Sequence, residues 1–162
     1  MNDPAIPADD SSRRAAIGWA FVALQAVLLI ALVVLPGGGA WSTPGWLRSV
    51  GFACIVAGLG LIAVSSLRLG SALTPTPVPT AAGSLQTGGL YRFVRHPIYT
   101  GVLTIVVGLV VRSGSWAHVA VGVITVVFFD RKARWEEARL AERYPDYADY
   151  AARTPRFVPF TR

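Results

Sequence analysis

Two polar strings in an otherwise apolar chain hold the residue types from which a site could be built. Tyr91-Arg92-Phe93-Val94-Arg95-His96-Pro97-Ile98-Tyr99-Thr100-Gly101 gathers an imidazole, two phenols and two guanidiniums. Arg131-Lys132-Ala133-Arg134-Trp135-Glu136-Glu137 sets three cations just ahead of a pair of carboxylates. Paired carboxylates beside arginines can hold a zwitterion or a cation, and a Tyr and a His can line an adenine or a ribose by stacking and hydrogen bonding. Each residue also has a plainer use. Arg92, Arg95, Arg131 and Lys132 would anchor the topology of any membrane protein. His96 would cap a helix beginning at Pro97, a residue suited to a first helical position. Glu136 and Glu137 would pair as solvated charges with Arg139 or Lys132 at helical spacing. The residues alone imply a polar pocket at the mouth of a helix hairpin.

Membrane helices must position these strings. Of 162 residues, 53% are hydrophobic and 15% charged, and the mean hydropathy is +0.50, too apolar for a soluble domain that has to clothe itself in polar side chains. The expected fold class is all-α, a single domain over residues 1–162. It is an integral membrane bundle of about four transmembrane helices with a cytoplasmic interfacial C-terminal helix. The spans fall at about residues 15–35, 46–67, 97–112 and 115–131, separating a cytoplasmic loop, 68–96, from a tail, 132–162. The first ends at Pro36-Gly37-Gly38-Gly39, a strong stop. The second contains Gly51, Gly58 and Gly60, which suit close helix packing, and Trp41 and Trp46 lie where an interfacial aromatic belt would. Thr74-Pro75-Thr76-Pro77-Val78-Pro79 excludes a helix and favours extended chain. Arg112-Ser113-Gly114-Ser115 reads as a tight turn between antiparallel helices. The last two apolar runs are short, and reach full spans only by extending into residues 95–97 and 130–134 with snorkelling side chains. Beyond residue 131 the last span continues as an interfacial helix that Pro145 ends, and residues 146–162 read as a tail of aromatics among prolines.

The net charge of +6 reports topology and contact with anionic headgroups here. No basic face with interleaved aromatics points to nucleic acid. Only Arg48 and Arg112 among the basic residues fall in the first and third loops, so the positive-inside rule places both termini and the proline-rich loop in the cytoplasm. The first twenty residues lack the basic start of a secretory signal, and the lone Cys54 is a small buried hydrophobe in an apolar run.

The string Gly88-Gly89-Leu90 through Gly101 is followed, after a helix hairpin, by Glu136-Glu137-x-x-Leu140, then Tyr144-x-x-Tyr147-x-x-Tyr150 and Pro155-Arg156-Phe157-Val158-Pro159-Phe160. In this order the motifs resemble the isoprenylcysteine carboxyl methyltransferase and phospholipid methyltransferase superfamily of integral membrane methyltransferases, over roughly residues 74–162. The resemblance implies an S-adenosylmethionine-dependent enzyme without a Rossmann fold, and no strand followed by a Gly-x-Gly-x-x-Gly turn occurs here. Carried over by position, Tyr91, His96, Pro97, Ile98, Tyr99 and Gly101 would contact the cofactor, as would Leu85 and Gln86. Glu136 or Glu137 would take its methionyl amino group, Lys132 or Arg134 would face the acceptor, and no metal is expected. The implied partners are the lipid bilayer and a lipophilic or amphiphilic methyl acceptor: an isoprenylcysteine-like carboxylate, a phospholipid amine, or a small hydrophobic thiol or acid. A bacterial inner membrane is the implied setting. Two other readings stay open, a non-catalytic membrane scaffold of the same fold and an NADPH-dependent membrane reductase.

Overall fold

The computed structural model describes residues 8–70, 85–159 and 161. The proline-rich run from Thr74 to Pro79, and Phe160, lie outside the described residues. Each of the four apolar runs folds as a helix: α1 (Ala8–Val34), α2 (Gly45–Leu69), α3 (Pro97–Ser113) and α4 (Trp116–Arg143). The helix breakers set the ends. Pro36 follows α1, Pro44 precedes α2, Pro97 opens α3, and α4 stops at Arg143, directly before Tyr144-Pro145. Gly114 makes the α3–α4 turn at φ 61°, where an added Cβ would lie 2.8 Å from the Trp41 carbonyl oxygen.

Residues Ser12–Val34 of α1 and all of α2 are long and apolar enough to cross a membrane. Helix α3 is a shorter apolar helix of 17 residues, about 25 Å long at ~1.5 Å per residue. Helix α4 has 28 residues, about 42 Å, which exceeds a hydrocarbon core of about 30 Å and carries its charged end beyond it. It runs through residues 131–143 without a break, so the last apolar run and the interfacial segment are one helix. A short 3₁₀ turn over Gly89–Arg92 precedes α3. A further helix, α5 (Tyr147–Arg153), occupies the stretch read from sequence as irregular tail. The prolines at 145, 155 and 159 flank it and do not interrupt it.

The helices alternate in direction. At one end the α1–α2 loop and the α3–α4 turn are joined through their main chains: Gly38 N donates to Ser113 O at 2.6 Å and Ala40 N to Gly114 O at 3.0 Å. Trp41 and Trp116 meet edge to face beside them at 5.2 Å. The other end holds both polar strings. There the start of α1 reaches the end of α4 through Arg14 and Glu142, at 3.0 Å. Between the ends, Leu28 of α1 and Phe128 and Phe129 of α4 form an apolar core. Phe21, Tyr99, Val102, Leu103 and Val121 pack against it.

Helices α2 and α3 approach most closely, through two reciprocal glycine pairs. A Cβ on Gly51 would lie 2.7 Å from Gly108 O, and one on Gly108 would lie 2.5 Å from Gly51 O. Gly58 and Gly101 stand in the same relation, at 2.5 and 2.8 Å. Both pairs have the same seven-residue spacing, so antiparallel helices bring them into register together. Lipid is as apolar as leucine, so close backbone packing of this kind is what holds membrane helices together. The glycines of α2 were legible in the sequence as packing residues; their partners on α3 were not. Gly60, read with them, meets nothing within 4 Å.

Thermal unfolding in detergent should separate these roles. Gly108→Ala is expected to destabilise by about 1–3 kcal/mol through overpacking. Gly60→Ala is expected to be neutral or stabilising by up to about 1 kcal/mol through the better helix former. Equal midpoints for the two variants would rule out the paired-glycine contact.

Candidate functional site

The 3₁₀ turn and the first turn of α3 deliver the first polar string, and the end of α4 delivers the second. His96 occupies the N-cap position of α3 but makes no side-chain cap bond, so its ring is available elsewhere. It is 6% exposed and lies 3.1 Å from Glu137 Oε1 through Nε2 and 3.8 Å from Glu136 Oε2 through Nδ1. Tyr99, one turn on, stacks parallel to the imidazole with 5.1 Å between ring centres. Its hydroxyl donates to Glu136 Oε2 at 2.7 Å. The two carboxylates therefore do not pair with Arg139 or Lys132 as solvated charges. They turn inward onto the His96–Tyr99 stack.

Glu137 gathers the strongest interactions. Arg156 grips both its oxygens, Nε to Oε1 at 2.9 Å and Nη2 to Oε2 at 2.7 Å, and extends Nη1 to Asp130 at 2.7 Å. The side chain of Arg95 lies 3.3 Å from the same carboxylate. Burial alone would push the Glu137 carboxyl up; hydrogen bonds from His96 and Arg156 and the charges of His96 and Arg95 outweigh it and hold the group down at about 2. The segment carrying Arg156 is fixed by its own backbone, since Arg95 N donates to Pro155 O at 2.8 Å and His96 N to Arg156 O at 3.1 Å. Thr100 Oγ1 adds a bond to Phe157 O at 2.8 Å.

Three tyrosines floor the cluster. Tyr150 donates to Tyr91 O at 2.6 Å, which ties α5 to the 3₁₀ turn. Burial pushes the Tyr150 phenol up to about 12, opposed by Arg95 and assisted by Glu137. Burial, with Glu136 and Tyr150 adding to it, raises Tyr91 further, and burial with Glu137 does the same for Tyr147. All three are thus neutral hydroxyls at any working pH. The Tyr147 hydroxyl is buried and has no hydrogen-bond partner among the described residues.

Of the residues singled out in the sequence, Tyr91, His96, Tyr99, Glu136 and Glu137 converge here. Pro97 is buried at the start of α3 and Ile98 is half-buried beside it; Leu85 and Gln86 are half-buried just before the 3₁₀ turn. Gly101 lies against α2 at the second glycine pair. Lys132 and Arg134 part company. Arg134 is 62% exposed and pairs with Asp130 at 2.7 Å one turn back on α4. Lys132 is 3% exposed and donates to Gln25 Oε1 of α1 at 2.6 Å. Sequence reasoning assigned no role to Arg156, Asp130, Tyr147 or Gln25. Arg156 stood in a quoted motif, and Gln25 was visible as the lone polar residue of the first apolar run; nothing in the spacing of Asp130 marks it.

Comparisons with known proteins bear on the family and the fold. A family model described as phospholipid methyltransferase matches residues 46–147. Over 77 residues the chain is 36% identical to the cobalt-zinc-cadmium resistance protein CzcN of Cupriavidus metallidurans, covering 47% of this chain and 36% of that protein. Over 78 residues it is 36% identical to protein-S-isoprenylcysteine O-methyltransferase B of Arabidopsis thaliana, covering 47% and 40%. The nickel-cobalt-cadmium resistance protein NccN of Alcaligenes xylosoxydans xylosoxydans is 31% identical over 156 residues, 94% of this chain and 68% of that one. The solved structure of the eukaryotic intramembrane Ras methyltransferase ICMT (isoprenylcysteine carboxyl methyltransferase) superposes with a TM-score of 0.64 over 97% of this chain and 55% of the other, at 20% identity, which is a likeness of fold.

The depressed carboxyl of Glu137 has a measurable consequence. Its folded-state titration lies below the ordinary 4.5, so its charge stabilises the fold above about pH 4.5 and that contribution is lost as pH falls toward 2. Glu137→Gln should lower stability at neutral pH by on the order of 2–3 kcal/mol and lack this part of the acid limb in detergent unfolding curves. An acid limb identical to wild type would contradict the charge clamp.

Proposed function

The chain belongs to the phospholipid methyltransferase family, and from that premise we propose that it is a membrane-embedded methyltransferase that takes S-adenosylmethionine from the cytosol and methylates a lipophilic or amphiphilic acceptor drawn from the bilayer. The observation that carries this reading is the convergence of Glu136, Glu137, His96 and Tyr99 at the polar end of the bundle. In it all four helices span, and the polar end is cytosolic, because Arg48 and Arg112 alone among the basic residues belong to the opposite end.

The residues present fit the cofactor. Glu136 is 25% exposed and its carboxylate is engaged by Tyr99 through one oxygen, which leaves the other for the methionyl ammonium. Glu137, neutralised by Arg156 and Arg95, orients His96 and does not compete for that charge. The unpartnered Tyr147 hydroxyl is a buried donor beside the carboxylates. Tyr91, Pro97, Ile98, Leu85 and Gln86 would complete the lining, with the His96–Tyr99 pair as a flat face for the adenine. Gly101 enters by letting α2 approach α3.

S-adenosylmethionine supplies an electrophilic sulfonium methyl, and its transfer needs an aligned, desolvated nucleophile more than it needs acid–base help. The protein's part is positioning. The bidentate Arg156–Glu137 pair fixes the end of α4, the Tyr99 hydroxyl fixes Glu136, and the aromatic ring of Tyr99 separates the polar cluster from the apolar interior of the bundle, against Phe129 at 5.1 Å.

Calorimetric titration of detergent-purified protein is expected to show saturable binding of S-adenosylmethionine and S-adenosylhomocysteine and none of NADPH. Glu136→Gln should weaken both by at least about tenfold, roughly 1.4 kcal/mol. Binding of NADPH alone would replace the methyltransferase reading with the reductase, and binding of none of the three by folded protein would replace it with the scaffold.

A further inference from the structure

Fifteen residues of the chain are Lys or Arg, and Lys132 is its single lysine. It is also the most deeply buried charged side chain among the described residues, at 3% exposure. It sits sixteen residues into α4, about 24 Å from Trp116 at ~1.5 Å per residue. Because side chains on a helix lean toward its N-terminus, Lys132 leans from the polar end toward the apolar middle of the bundle. That is the reverse of snorkelling, in which an ammonium near a membrane surface reaches outward to water. Its ammonium lands on Gln25 Oε1 of α1 at 2.6 Å and over the rings of Tyr99 and Phe129, at 5.2 and 5.9 Å from their centres.

This environment under-serves a cation. An ammonium has three donors, and among the described residues Gln25 is the one hydrogen-bond acceptor it finds. No described carboxylate lies within ion-pair distance of it. Glu136 acts on it only as a charge beyond that distance, with one oxygen taken by Tyr99, and Glu137 is held by Arg156. Ionisable side chains at such depth are expensive unless a partner or a function accounts for them.

We propose that Gln25 is a positioning residue that holds the Lys132 ammonium as an anion-recognition point at the acceptor side of the site, so that the acceptor is a lipophile with a carboxylate head and not an amine. The inference rests on the methyltransferase reading and names its substrate class. A lipophilic carboxylate arriving between α1 and α4 would meet the two free donors of Lys132, one tyrosine ring away from the Glu136–His96 cluster. A carboxylate oxygen attacks the methyl carbon as the C–S bond breaks; sulfur keeps the electron pair, a neutral methyl ester and a thioether result, and no proton has to be removed. Lys132 therefore needs only to hold and orient. An amine acceptor arrives as an ammonium, has to give up a proton before its lone pair can attack, and would meet a like charge at the same point. Gln25 precedes the stretch matched by the family model, so α1 contributes to recognition from outside that stretch.

The single lysine is its own reporter. Protein labelled with ¹³Cε,¹⁵Nζ-lysine should give one side-chain signal. With S-adenosylhomocysteine present, dodecanoate is expected to shift it saturably, while dodecylamine and dodecanol leave it in place. Gln25→Met keeps the side-chain size but removes the acceptor oxygen, and should move the unliganded signal and weaken dodecanoate by about tenfold or more. Gln25→Glu supplies a resident anion and should abolish the response. Calorimetry on the same samples shows whether each variant still binds S-adenosylhomocysteine. A dodecylamine shift equal to that of dodecanoate, a stronger response to dodecyl phosphate, or wild-type dodecanoate affinity in both variants would overturn the proposal. If Gln25 and Lys132 merely bridge α1 to α4, Gln25→Met unfolds at lower temperature, Gln25→Glu keeps the bridge, and the wild-type lysine signal ignores the head group. A wild-type protein that binds no S-adenosylhomocysteine by calorimetry would remove the methyltransferase reading, and with it the acceptor role, whatever the lysine signal does.

Discussion

One carboxylate organises the polar end of this bundle. Glu137 sits largely out of water, where an isolated charge would be costly, and three separate side chains converge on it: Arg95 and His96 from the start of α3, and Arg156 from beyond α5. Each segment alone would be a loose connector; the shared charge makes them a single layer. The main-chain bonds of Arg95 and His96 to Pro155 and Arg156 follow from that convergence and reinforce it. Glu136, the preceding residue, escapes the clamp because it points to the neighbouring face, where among the described residues Tyr99 alone engages it through a hydrogen bond. Adjacent carboxylates on one helix thus stand differently, one consumed in holding the cluster together and one bonded through a single oxygen.

The apolar half of the bundle answers to a different constraint. With no hydrophobic drive between helices in lipid, α2 and α3 are held by backbone proximity, and that proximity fixes where α3 begins relative to α4. Tyr99 sits near the start of α3 and touches His96, Glu136, Phe129 and Lys132. A shift of α3 along α2 would move this ring from all four at once. Glycine spacing in the apolar half therefore sets the geometry of the chemistry.

Much of this was legible in the sequence, for reasons that differ by residue. The apolar runs and their proline and glycine boundaries marked the helices because those signals are local. His96, Tyr99, Glu136 and Glu137 stood out through residue type and order. Their pairing did not, because it depends on how two helices meet: the sequence allowed His96 to be a cap and the glutamates to be solvated, and packing decided otherwise. The acceptor-facing cation was read as Lys132 or Arg134, residues that helical geometry sends to different faces of α4, one to Gln25 and one to the exposed flank beside Asp130. Helix α5 was hidden by its flanking prolines and its length of seven residues. Gln25 and Lys132 are 107 residues apart, and no periodicity links them.

The two ends of the molecule are fastened unequally. The loop end is joined by main-chain hydrogen bonds between Gly38, Ala40, Ser113 and Gly114. Toward the polar end α1 meets α4 through side chains alone: Phe21 against Trp135 and Phe128, Gln25 on Lys132, and outermost an exposed arginine–glutamate pair of a kind worth about 0–1 kcal/mol. Any parting of α1 from α4 therefore pivots at the loop end, like a door on a hinge, passing Lys132 and opening widest at Arg14 and Glu142. Its outer latch is an ion pair that salt screens, so the ionic strength of the aqueous phase sets how firmly that door is closed.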